Sequence, residues 1–160
     1  MAADFFLKLD GIEGESADSD HKKEIDVLSW SWGTSQGGNM HVAGGGGAGK
    51  ASVGDLSFVK YVDSASHLLW IKCCTGKHIK NAILSCRKAG DTPMDYIKIT
   101  LDDMLVSSVS SGGSQGEEML TESVSLNFAK VKYEYRPQKA DGSMEGWKTA
   151  GFDVKENKET

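Results

Sequence analysis

Nine of the chain's 19 glycines fall between Gly33 and Gly54, and they divide two segments that alternate in polarity as strands do. Glycine has no side chain to pack and loses the most backbone freedom on ordering. A run this dense supports neither a helix nor an interior strand, so the chain must fold as strands on either side of an extended loop, assigned to residues 36–52. The same run imitates two phosphate-binding motifs. Gly44-Gly45-Gly46-Gly47-Ala48-Gly49-Lys50 fits G-x-x-x-x-G-K, and Gly44, Gly46 and Gly49 fit G-x-G-x-x-G. Both chemistries need the loop to open a helix, whose N-terminal N–H groups converge on phosphate. Here Ala51 stands where a P-loop needs Ser or Thr for magnesium, and Val53–Val62 reads as a strand. The nucleotide-binding reading is therefore rejected.

The 160 residues suffice for one domain with its own core, spanning 1–160. A formal net charge of −5, with Lys and Arg scattered along the chain, argues against a nucleic-acid partner. Met1–Lys8 lacks the apolar core of a signal peptide, and no stretch is long and apolar enough to insert in a membrane. Cys73, Cys74 and Cys86 form no C-x-x-C pair and suit a reducing compartment, where they read as small core residues. Synthesis and folding in the cytoplasm are expected.

Strands dominate the pattern. Asp4–Leu9 is apolar; Glu24–Gly33 is expected to bury Leu28, Trp30 and Trp32 and to turn Ser29 and Ser31 the other way. A helix fits Ser64–Thr75, capped by Asp63 or Ser64, with Ala65, Leu68, Leu69 and Lys72 on one stripe and Gly76 at its end. Strands resume at Ile79–Lys88, Asp95–Val109 and Thr121–Tyr135. In the second of these the apolar phase switches between Leu101 and Met104, and in the third between Phe128 and Val131, which predicts a bulge or corner in each. Ser110–Gly116 reads as a flexible hairpin loop, Gly151–Lys155 as a short strand and residues 156–160 as a loose tail. Long bent strands, shorter ones and one helix predict a mainly β fold: a small bent β-barrel or closed two-sheet sandwich with one flanking α-helix.

No catalytic constellation emerges. Gly112-Gly113-Ser114-Gln115-Gly116 matches G-x-S-x-G, but it joins two strands rather than a strand and a helix. His21, His41, His67 and His78 show no metal-ligand spacing, and surface or packing roles are expected for each. Asp102-Asp103 and Glu117-Glu118 are sequence neighbours, which in a strand face opposite ways. No cofactor or metal is expected, and the chain reads as a surface rather than an enzyme. Trp30 and Trp32 leave one alternative, a β-sandwich module that binds carbohydrate or protein.

The ordered set of WSWG-x-SQ, GGGGAGK, DLSF-x-KY-x-D, GKH, RKAG, DYIKITLDDMLVSSVS-x-GGS and LTE-x-V-x-LNFA-x-V-x-Y-x-Y-x-PQKADG resembles the haemolysin-coregulated protein (Hcp) family, tube proteins of the type VI secretion system. The resemblance runs from about Asp4 to Gly142. It implies a homo-hexameric ring that stacks into the expelled tube within a contractile sheath and beneath a spike protein. It also implies small effector proteins carried in the lumen and export through the secretion system without a signal peptide. The chain ends at Thr160, where no toxic enzymatic extension is expected. On that implied role, Ser29 and Ser31, with Ser114 as a further candidate, are expected to face the lumen and its cargo. Met40, Val42, Gly44, Gly45, Gly46 and Gly47 are expected to form an arm between stacked rings, and deleting Gly44–Gly47 to abolish tube growth while leaving rings intact.

Overall fold

A computed structural model describes residues 3–38 and 49–160. In chain order its elements are β1 (Ala3–Leu9), β2 (Ile25–Val27), β3 (Ser29–Ser31), β4 (Thr34–Gln36), β5 (Ala51–Val53), β6 (Leu56–Tyr61), α1 (Ser66–Thr75), β7 (Ile79–Lys88), β8 (Met94–Ser111), β9 (Thr121–Tyr135), β10 (Lys148–Asp153) and β11 (Lys158–Glu159). The fold is mainly β, as the alternation predicted.

Every strand pairing among the described residues is antiparallel. The main sheet runs β11-β10-β9-β8-β7-β1-β2, while β6 bridges β3 and β9. The expected closed barrel does not form. Among the described residues β2 pairs only with β1 and β3 only with β6, so the circuit is completed through the chain at Leu28 rather than through a ladder. This also corrects the single strand expected over Glu24–Gly33. Ile25 and Val27 are buried, the phase breaks, and Leu28 is 42% exposed instead of lying in the core with Trp30 and Trp32. The break has a physical cause: the chain leaves one partner strand for another, and the Leu28 N–H donates to Val59 O on β6 at 2.8 Å.

The phase switches in the two longest strands are real bends. Asp103 has φ +49°, which interrupts alternation in β8 so that Leu101 and Met104 are both buried. Opposite it, Phe128 and Val131 of β9 are both buried across the same point. A second irregularity between Val106 and Ser108 leaves Ser107 without a partner in β9. The core gathered beneath the bends includes Leu7, Ile25, Leu56, Phe58, Leu84, Ile99, Leu101 and Leu126.

α1 starts two residues later than expected and packs against β8. The Ala65 N–H donates to Asp63 Oδ1 at 2.9 Å, so the aspartate orders the entry from one turn away. Gly76, at φ +66°, ends the helix in the left-handed conformation, its N–H donating to Lys72 O. Ala65 and Leu69 are buried. Residues 156–160, expected to be a loose tail, carry β11, which hydrogen-bonds to β10 and brings Thr160 N–H to Gly151 O at 3.1 Å. The strand expected at Gly151–Lys155 lies three residues earlier at its start, since Lys148 finds Tyr135 as its partner. The strand expected over Val53–Val62 divides into β5 and β6 where the Gly54 N–H turns to Gly33 O.

Candidate functional site: a hydroxyl-covered sheet face

Where β3, β6, β9 and β8 lie side by side, the register aligns small hydroxyl side chains. Ser31 is opposite Ser57, Ser57 opposite Ser125, and Ser125 opposite Ser108. One step along, Ser29 meets Val59, Val59 meets Ser123, and Ser123 meets Ser110. Directly opposed residues in antiparallel strands share a face. The chain therefore presents two rows with seven serines across four strands. Ser57 Oγ and Ser125 Oγ are 2.9 Å apart, a direct hydrogen bond between neighbouring strands. The same strands turn Phe58, Val124 and Leu126 into the core.

Neither row carries a charged residue, and the two charges next to them on β6 and β9 are turned inward. Lys60 and Glu122 are opposed in the β6–β9 ladder, and both lie on the core side. Lys60 is 0% exposed and Glu122 5%. Lys60 Nζ donates to Glu122 Oε1 at 2.6 Å and to Ser66 Oγ at 3.1 Å, and pairs with Asp63 Oδ1 at 2.8 Å. Ser66 Oγ donates in turn to Glu122 Oε1 at 2.7 Å, tying the first turn of α1 to the sheet. Asp55 borders the hydroxyl face and accepts from Ser107 Oγ at 2.6 Å and Asn127 Nδ2 at 2.8 Å.

Ser29 and Ser31 are both exposed on this face, opposite the Trp30 side as the alternation predicted. Ser57, Ser108, Ser110, Ser123 and Ser125 were missed. Each is an ordinary strand serine, and only the pairing register reveals them as one surface. Ser114 is exposed in the loop that follows β8, outside both rows. Met40, Val42, Gly44, Gly45, Gly46 and Gly47 lie outside the described residues. The base of that loop is described: β4 and β5 form a two-stranded ribbon, separate from the main sheet, with Thr34 opposite Val53 and Gln36 opposite Ala51.

The alternative binding platform is not built as the tryptophan spacing suggested. Trp30 packs edge-on to Phe5 at 6.3 Å and against the core. Trp32 stacks on Tyr133 at 5.8 Å beside an apolar cavity of about 210 Å³. The two indoles thus have different partners. Cys86 is buried, and burial pushes its thiol up to about 12 despite a hydrogen bond from Trp30, which keeps it protonated. Cys74, in contrast to the core role expected of it, is exposed on α1. Among the described residues no group of His, Cys, Asp and Glu is arranged to hold a metal ion. No described helix is long and apolar enough to cross a membrane.

Residues 6–135 match the family described as type VI secretion system effector, Hcp. The chain belongs to the Hcp family. It is 53% identical to protein Hcp1 of Pseudomonas aeruginosa over 159 residues, covering 98% of each chain. Its fold is similar to the crystal structure of Hcp1 from Salmonella typhimurium, with 48% identity, a TM-score of 0.82 and full coverage of both chains. A type six secretion system protein of 29% identity superposes with a TM-score of 0.92 over 99% of this chain and 100% of the other. This Hcp protein is thus a structural tube component of the type VI secretion system, as the sequence motifs implied.

Proposed function

We propose that the chain assembles into homo-hexameric rings that stack into the secretion tube, and that the serine face of β3, β6, β9 and β8 lines the lumen and meets effector cargo. A head-to-tail contact closes into a ring when its rotation permits, whereas a stacking contact stays open and extends into a filament. The observation that supports the lumen assignment is the contrast across this sheet. Hydroxyls cover the outer side while Lys60 and Glu122 are turned inward. A wall of short hydroxyls offers many weak, exchangeable hydrogen bonds, each with a net value of about 0.5–1.5 kcal/mol, and no fixed charge to bind or repel a passing protein. Repeated around a ring, such a wall retains cargo without holding it permanently. The β4–β5 ribbon, separate from the main sheet, flanks the glycine-rich segment in the chain, and on this reading that segment meets a neighbouring ring. The spike and the contractile sheath are the remaining partners under this reading, with export through the secretion system from a cytoplasmic pool. A tube wall acts through its surface, without catalysis.

Two exposed substitutions test the proposal, Ser31→Gln and Ser123→Gln. Cargo retention is read by co-purification of an effector with the ring, and ring integrity by light scattering. Retention is expected to fall while a mass of about six subunits persists. Unchanged retention in intact rings overturns the lumen assignment, and a monomer for the unaltered protein at any accessible concentration overturns the ring.

A further inference from the structure

The hydroxyl face leaves a second polar assembly unexplained, gathered around Phe6 of β1. His21 is 6% exposed, yet both its ring nitrogens face carboxylates. Nδ1 lies 3.0 and 3.1 Å from the two oxygens of Glu24, and Nε2 lies 3.0 Å from Asp95 Oδ1. A neutral imidazole has one N–H donor, so it satisfies only one of these partners and turns a lone pair toward the other. The imidazolium satisfies both. The ring has no route to exchange that conflict for water, because it is buried and stacked flat on Phe6 of β1 at 4.3 Å and 8°.

We infer that His21 is a proton-operated latch. It pins the segment between β1 and β2 to the start of β8 while both nitrogens carry protons, and releases it when one is lost. Besides His21, the segment is tied by buried Ile12, by Glu15 Oε2, which accepts from the Ser64 N–H at 2.9 Å, and by an ion pair. Arg87 of β7 pairs with Asp18 and, more distantly, with Asp4 and Asp20, and its guanidinium lies over the same Phe6 ring at 4.9 Å. That pair keeps its charges throughout the neutral range, so it is the fixed anchor. The His21 N–H of the backbone also donates to Asp18 Oδ1, at 3.2 Å. The charged groups around the ring are therefore Glu24, Asp18 and Asp20 on its own segment, Asp95 on β8, and Arg87 with Asp4 beyond Phe6. Carboxylates dominate the immediate shell.

Burial by itself pulls the His21 ring toward the neutral form. The hydrogen bonds and charges of Asp95 and Glu24 outweigh it, so the ring holds its proton above the ordinary histidine value. A group raised on folding contributes fully below about pH 6.5, and its contribution is lost as pH rises through the folded value. The segment that loses this anchor leads directly into β2, a three-residue strand paired, among the described residues, with β1 alone. Its own backbone bonds, among them Gly14 N–H to Lys23 O at 2.8 Å, Ser16 N–H to Glu24 O at 3.0 Å and Lys23 N–H to Ser16 O at 2.8 Å, are local to the segment. Release is therefore expected to loosen this segment and β2, leaving the β7–β8–β9 core closed.

Hydrogen–deuterium exchange of the full-length assembled protein, read by mass spectrometry from pH 6 to 9.5 and corrected for intrinsic rates, tests the latch. Exchange at the imidazole C2–H reports His21's own titration in the same samples. Protection of the peptide spanning residues 12–24 is expected to fall about tenfold at the His21 midpoint, the weight of one charge-assisted hydrogen bond. Protection of β7 and β8 should stay level. Asp95→Asn, or Glu24→Gln if the first fails to fold, should move the midpoints of ring and segment down together. Protection that stays flat through the His21 titration overturns the proposal, as does a segment transition that ignores both substitutions.

Discussion

Replacing Lys60 by methionine is the sharpest test of how this sheet is held to its helix. The ammonium lies 2.6 Å from Glu122 and 2.8 Å from Asp63, each an attraction of roughly 6 kcal/mol at an effective dielectric of about 20. Desolvating the ions costs several kcal/mol apiece, so the intact cluster is near balance. Methionine keeps the volume and removes the charge. Glu122 is then a buried carboxylate whose remaining partner is the Ser66 hydroxyl. Neutralising an ordinary glutamate at pH 7 costs about 3.7 kcal/mol, in line with the 3–5 kcal/mol typical when one member of a buried pair is removed. For a domain of this size that loss lowers Tm by about 6–20 °C. Urea unfolding at fixed protein concentration, followed by tryptophan fluorescence, gives the free energy directly. The double variant Lys60→Met/Glu122→Leu should recover most of the loss, leaving a coupling energy of at least about 2 kcal/mol. A single-variant loss below about 1 kcal/mol, or additive single-variant losses, would refute the reasoning.

Two further outcomes follow from the segment before β2. The hydrogen bond from Arg87 holds the Asp18 carboxyl down at about 2, against opposing burial, so its contribution is present above about pH 4 and lost as pH falls from there through 2. The stability gap between the protein and Asp18→Asn, about 1–2 kcal/mol once screened by solvent, should therefore close over that interval in acid-dependent urea melts; a gap that persists at pH 2 contradicts the pairing. Gly14→Ala would place a Cβ 2.6 Å from Glu24 O and 2.7 Å from Ile25 Cα, both backbone atoms, and should cost about 1–3 kcal/mol by denaturant midpoint. Gly33→Ala meets nothing within 4 Å, so equal losses in the two variants would show that packing is not the cause.

Much of the architecture was legible in the chain. The run from Ile79 to Lys88 and the run from Thr121 to Tyr135 form strands with the expected bounds, because each is a long stretch free of glycine and proline between turn residues. The bends were legible as phase switches. Gly76 was legible as a helix stop because few other residues take its left-handed conformation at low cost. Leu28 was misread, since nothing in its local pattern records that β2 and β3 serve different partners. Lys60 escaped notice because a lysine in a strand is read as facing water. Its burial depends on Glu122, 62 residues away. β11 escaped notice for another reason: its two residues are too short a run to show a strand pattern, and only their pairing with β10 makes them a strand.

For the proposed site, the sequence by itself determined sidedness: Ser29 and Ser31 had to lie opposite Trp30, because successive side chains in a strand point to opposite faces. It also determined where the two longest strands bend and where α1 stops. Only the tertiary structure decided which strands became neighbours, and with that choice came both the seven-serine face and the buried Lys60–Glu122 pair behind it. Alternation is set by the local backbone, whereas pairing is set by contacts between segments far apart in the chain.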